Sequence, residues 1–167
     1  MPRRLLRNAE IVVDEWSYVT EAAADAAAPL IVTLAQWQLE PDTWLARGTP
    51  LGVVLSPPHQ VQQIAADLEH FSLIAAEFSG PAEGRGYTQA RQLREQWHFT
   101  GELRATGYVR RDQLFFMARC GFNSFELPDT DIEDAYTAFS TFTAAYQPSN
   151  DLGLAHKLRA TEHRATE

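Results

Sequence analysis

The sequence predicts an α/β fold in which successive β-α units form a mainly parallel sheet, partial TIM-barrel-like or open three-layer, with extra N-terminal strands. Two observations predict it. From residue 48 onward, apolar runs of strand length alternate with stretches of helical period through four units, a pattern that implies parallel strands joined by right-handed crossovers. The chain has 167 residues, whereas a closed eight-stranded barrel takes roughly 250. An incomplete barrel would finish its packing with N-terminal strands or with a second subunit, so a homo-oligomer stays open.

In chain order, residues 10–20 (EIVVDEWSYVT) and 29–34 (PLIVTL) read as strands, separated by EAAADAAA, a loop or a short helical turn. LGVVL at 51–55 is a strand, PPHQ a turn, and 61–71 a helix with Val61, Ile64, Ala65 and Leu68 on one face. Strand 72–78 leads into helix 87–97, where Tyr87, Ala90, Leu93 and Trp97 make the buried stripe and Arg91, Arg94 and Glu95 stay at a surface or interface. Strand 102–106, helix 110–120 closed by Gly121, strand 122–127 and helix 131–146 complete the rhythm. We expect one α/β domain over 1–146 and a polar tail over 147–167.

Composition excludes several classes. One cysteine, Cys120, rules out an internal disulfide, a CxxC pair, a Cys-based zinc site and a self-contained iron–sulfur cluster. The five histidines form no HxH or HExxH pattern, so no metal is expected. The N-terminal stretch lacks an apolar h-region, and no run reaches the roughly 18 apolar residues of a membrane span. A cytoplasmic protein without membrane attachment is expected. The net charge of −8 argues against nucleic-acid binding. Its distribution is uneven: residues 83–119 carry seven arginines against four acids, a surplus of +3 that leaves −11 elsewhere.

In such folds the ligand site lies beyond the carboxyl ends of the strands. GRGYT follows a strand and opens a helix there, so Gly84, Arg85, Gly86 and Tyr87 are candidates to hold an anion on backbone N–H groups. Arg110 and Arg111 open the next helix, where two cations are unfavourable unless something negative faces them, and Arg110 joins the anion candidates. Glu77, Arg104 and Glu126 each fall near the carboxyl end of a predicted strand. If their strands are neighbours they form a Glu–Arg–Glu cluster, either an ion-pair triad or an acid–base site, and they are the catalytic candidates. Cys120 sits at a helix C-terminus, where the dipole raises a thiol's pKa, and reads as a packed residue.

GRGYTQARQLRE, FTGELRATG, RRDQL and RCGFNSFEL together resemble the core of a bacterial family of uncharacterised proteins labelled probable oxidoreductases involved in sulfite reduction, often encoded beside sulfite reductase. The resemblance spans 51–127 and includes Gly84, Arg85, Gly86, Tyr87, Arg94, Arg104, Arg111 and Cys120. It departs at Glu83 and Tyr108, where the family has aspartate. The resemblance implies a sulfur-assimilation role: an accessory or oxidoreductase component binding a small oxyanion or nucleotide at Arg85, Arg104 and Arg110. The alternative is a noncatalytic partner of sulfite reductase subunits. A third reading is an independent small-molecule enzyme using Glu77 or Glu126 as acid or base. No flavin or nicotinamide motif is visible, and the cofactor stays open.

Overall fold

The computed structural model describes residues 3–19 and 27–141. β1 (Arg4–Arg7) and β2 (Glu10–Val13) form a hairpin. Its turn residues, Asn8 and Ala9, both take positive φ, 51° and 64°, as a type I′ turn requires. β3 (Ser17–Tyr18) and β4 (Leu30–Thr33) follow. Thr33 caps α1 (Leu34–Leu39) through a reciprocal box with Gln36, and Pro41 opens α2 (Pro41–Leu45). Then come β5 (Leu51–Leu55), β6 (Leu73–Phe78), α3 (Arg85–Arg91) and β7 (Glu102–Gly107). α4 (Leu114–Cys120), β8 (Ser124–Phe125) and α5 (Ile132–Thr141) end the described chain.

The eight strands make one sheet in the order β2-β1-β8-β7-β6-β5-β4-β3. The run from β3 to β8 is parallel, and the hairpin adds antiparallel to β8. The sheet curls into a half-barrel. At about 4.8 Å per strand, a flat sheet would hold β3 and β8 some 24 Å apart. Yet the Tyr18 hydroxyl on β3 lies 2.7 Å from Glu126, just past β8. The chain between β2 and β3 crosses from one edge of the sheet to the other, so the N-terminal segment closes the concave side.

Alternation sorts the side chains. Val32, Leu51, Val53, Leu55, Ile74, Ala76, Phe78, Leu103, Ala105 and Phe125 face the helices and build the main core. Ile31, Leu73 and Ala75 point to the concave side, where Trp16, Tyr18 and Val54 cover them.

Several predicted elements are corrected. Residues 10–20 are two strands on opposite edges of the sheet, broken around Asp14. Residues 61–71 form two 3₁₀ segments, Val61–Gln63 and Ala65–His70. That winding eclipses i and i+3 and buries Val61 and Ile64 together. α3 runs into a wide π turn over Gln92–Gln96, with the Trp97 N–H donating to the Gln92 carbonyl. The wide turn brings Arg94 rather than Trp97 to the buried side, so Arg94 is 7% exposed and Trp97 40%. The predicted helix 131–146 is seen as far as Thr141, and the rest of it, like the tail and most of EAAADAAA, lies outside the described residues. Among the described residues no helix is long and apolar enough to cross a membrane.

Candidate functional site

A polar row lies across the carboxyl ends of four adjacent strands. Glu77 on β6 is in register with Thr106 on β7. Continuing the register outward places Ser56 beside Glu77 and Glu126 beside Thr106. The Ser56 hydroxyl donates to Glu77 Oε2 at 2.6 Å, and the Thr106 hydroxyl to Glu126 Oε2 at 2.7 Å. Tyr18, carried in by the curl, donates to Glu126 Oε1 at 2.7 Å and lies 3.4 Å from Thr106 Oγ1. All five residues are partly exposed, whereas Arg104 and Ser124 one layer down are fully buried. Burial, then Glu126, raises the Tyr18 phenol above its ordinary value.

Arg104 sits under this row. All five of its N–H donors are taken: Nε and Nη2 by Glu102, Nη1 and Nη2 by Asp14, and Nη1 by Glu126, at 2.8–3.1 Å. Burial opposes its charge, but Glu102, Asp14 and Glu126 outweigh burial and raise the guanidinium's pKa. Arg3 and Arg7 complete the set, bridging Asp14 and Glu102. Asp14 thus joins Arg3 to Arg104, Glu102 joins Arg104 to Arg7, and Glu126 branches from Arg104, so three cations face three carboxylates. The expected Glu–Arg–Glu cluster exists in half: Glu126 meets Arg104, but Asp14 and Glu102 take the place foreseen for Glu77. Glu77 lies one row higher, where its one hydrogen bond among the described residues is to Ser56.

GRGYTQARQLRE holds this row in place. An added Cβ on Gly86 would stand 2.5 Å from the Phe78 ring, so glycine lets α3 pack onto the end of β6. Tyr87 packs edge-on against Phe78 and at a tilt against Phe116. Gln89 donates to the carbonyls of Ser56 and His59, the Ser56 N–H donates to His59 Nδ1, and the loop that presents Ser56 is thereby pinned. Arg94, expected at the surface, is buried and donates to the carbonyls of Phe99, Gly101 and Gly121.

The anion candidates do not converge. The Glu83 carboxylate already accepts the Arg85 N–H at the start of α3, and the Arg85 guanidinium reaches the Pro57 carbonyl. Gly84 has open space around it and an ordinary φ of −102°. Arg110 bonds the Tyr108 hydroxyl and lines a pocket of about 310 Å³ with Arg111, but Asp112, Asp131 and Asp134 line it too. Cys120 is buried, and burial raises its thiol. Sequence reasoning missed Asp14, Tyr18, Ser56, Thr106 and Gln89. The one available signal was a lone aspartate followed by aromatics inside an otherwise strand-like stretch.

No curated protein matches this chain. The profile of a family described as a bacterial protein of unknown function (DUF934) matches residues 52–155, more than half of the sequence. The match covers β5 to β8, hence Glu77, Arg104, Thr106 and Glu126, while Asp14 and Tyr18 come from the segment before it. The chain therefore belongs to the DUF934 family of bacterial proteins.

Proposed function

We propose that this protein serves sulfite reduction as an accessory or oxidoreductase component that acts on a small molecule at the mouth of its half-barrel, with Glu77 as the proton-accepting carboxylate. The role in sulfite reduction is supported by the motif resemblance. The site is supported by one observation, the row Ser56, Glu77, Thr106, Glu126 at the strand ends. Ser56 fixes one oxygen of Glu77 and leaves the other for a substrate proton, the arrangement general-base catalysis needs. Glu126 is held between Arg104, Tyr18 and Thr106, which suits an orienting group. Arg104 has no donor left for an oxyanion, so in this reading it stabilises the carboxylates instead.

A strain lacking this protein, complemented with wild type, Glu77→Gln or Arg85→Ala, tests the reading by growth on sulfate or sulfite against growth on cysteine. Glu77→Gln is expected to fold, to support growth on cysteine and to fail on sulfate and sulfite, while Arg85→Ala grows normally. Full growth of Glu77→Gln would overturn the assignment, and failure of Arg85→Ala alone would return the site to the GRGYT loop.

A second reading, a noncatalytic partner of sulfite reductase, is favoured by a groove of about 450 Å³ between α4 and α5, lined by Leu114, Phe115 and Phe139, with Phe116 half exposed at its side. Co-purification of reductase subunits that is lost in Phe116→Asp, with Glu77→Gln growing normally, would support it.

A further inference from the structure

We infer that the ligand of the mouth carries a protonated primary amine; this rests on the mouth being the site and names what it accepts. A hydroxyl has one proton to donate. Ser56 donates its proton to Glu77, and Thr106 and Tyr18 donate theirs to Glu126. What these groups turn toward a ligand is therefore lone pairs only, on three hydroxyl oxygens and on Glu77 Oε1.

Charge points the same way. Arg3, Arg7 and Arg104 balance Asp14, Glu102 and Glu126. Glu77 makes no ion pair among the described residues, so among them the mouth holds one negative charge without a paired cation. A sulfur or phosphorus oxyanion brings more acceptors and more negative charge and would be repelled. An ammonium group brings three donors, no acceptor and one positive charge.

An independent sign of unmet demand lies one layer down. Ser124 is fully buried on the same side of the sheet as Arg104, its register partner, and its hydroxyl has no hydrogen-bond partner among the described residues. Buried polar atoms are normally satisfied, so the hydrogen bonding beneath the row is incomplete among the described residues.

The test titrates the full-length protein by calorimetry, with thermal unfolding in parallel. The probes are propylamine, 1,4-diaminobutane and free α-amino acids, their N-acetylated forms, and sulfite and sulfate. At least one amine is expected to raise Tm, its N-acetylated form to have no effect, and Glu77→Gln to weaken binding about tenfold or more. Thr106→Val, which keeps the charge and exchanges one hydroxyl acceptor for the Glu126 Oε2 lone pair it had occupied, is expected to change the affinity for the same amine by a smaller factor than Glu77→Gln does. The proposal is overturned if no amine binds, if N-acetylated forms bind equally well, or if Glu77→Gln binds the amine as wild type does. Binding of sulfite or sulfate that is lost in Glu77→Gln would keep the mouth as the site and overturn only the ligand class. Undiminished growth of Glu77→Gln on sulfite would instead overturn the site itself.

Discussion

Among the described residues the half-barrel buries one arginine on each side of its sheet, and the two are treated in opposite ways. Arg104 on the concave side is 0% exposed and Arg94 on the helix side 7%. Burial disfavours the charge of both. Arg94, whose partners are three backbone carbonyls, is pushed down to about 10 by that burial. Arg104 ends above its ordinary value, because three carboxylates more than offset the same penalty. The comparison separates two uses of a guanidinium. On the helix side it is a bracket for loops, joining α3 to the residues that precede β7 and β8. On the concave side it is a counter-ion that holds Glu126 in place beneath the mouth.

Removing each cation should expose the difference between the two arginines directly. Arg104→Met leaves three carboxylates without their shared cation in a buried setting, and the cost of orphaning a buried ion pair is about 3–5 kcal/mol. Arg94→Met leaves three neutral carbonyls unpaired, an expected loss of about 2–3 kcal/mol. Denaturant midpoints of the two variants check this order. Equal losses would mean that the Arg104 cluster contributes no more than neutral hydrogen bonds do.

A smaller effect distinguishes packing from ligand binding in the motif that holds Arg94. Gly86→Ala would press a methyl group against the buried Phe78 ring, and overpacking of that kind costs about 1–3 kcal/mol. Gly84→Ala meets nothing within 4 Å and has an ordinary φ, so it should be neutral or stabilising by about 0.4–1 kcal/mol. Thermal melts of the pair decide the point. A destabilised Gly84→Ala would restore a backbone requirement to the loop.

What the sequence disclosed follows the range of the interactions. β5, β6 and β7 were read to within one residue, because a buried parallel strand writes its own apolar run. Glu77, Arg104 and Glu126 stood out for the converse reason, as charges inside such runs. The N-terminal hairpin was invisible: its turn is Asn-Ala, and alanine at positive φ carries no turn signal. Asp14 and Tyr18 were missed because nothing local marks them. They reach Arg104 and Glu126 across 90 and 108 residues, and only the curl of the sheet brings them there.

Tyr18 gives the finest test of that curl, through pH. Its folded pKa lies above the ordinary 10.0, by burial and by the neighbouring Glu126. The unfolded chain therefore releases the phenol proton first, and above that pH the folded state binds more protons than the unfolded one. Stability from this group is fully present below pH 10 and is lost as pH rises toward the folded value. Tyr18→Phe deletes the bond to Glu126, so it should be less stable than wild type at neutral pH by about 1 kcal/mol. That gap should shrink as both proteins are taken above about pH 10, since only the wild type has a phenol to lose at position 18. Denaturant midpoints across the range read the gap directly. A gap that stays constant would show that the Tyr18 proton is not committed to Glu126, and the lone-pair count at the mouth would then have to be redrawn with Tyr18 as a donor.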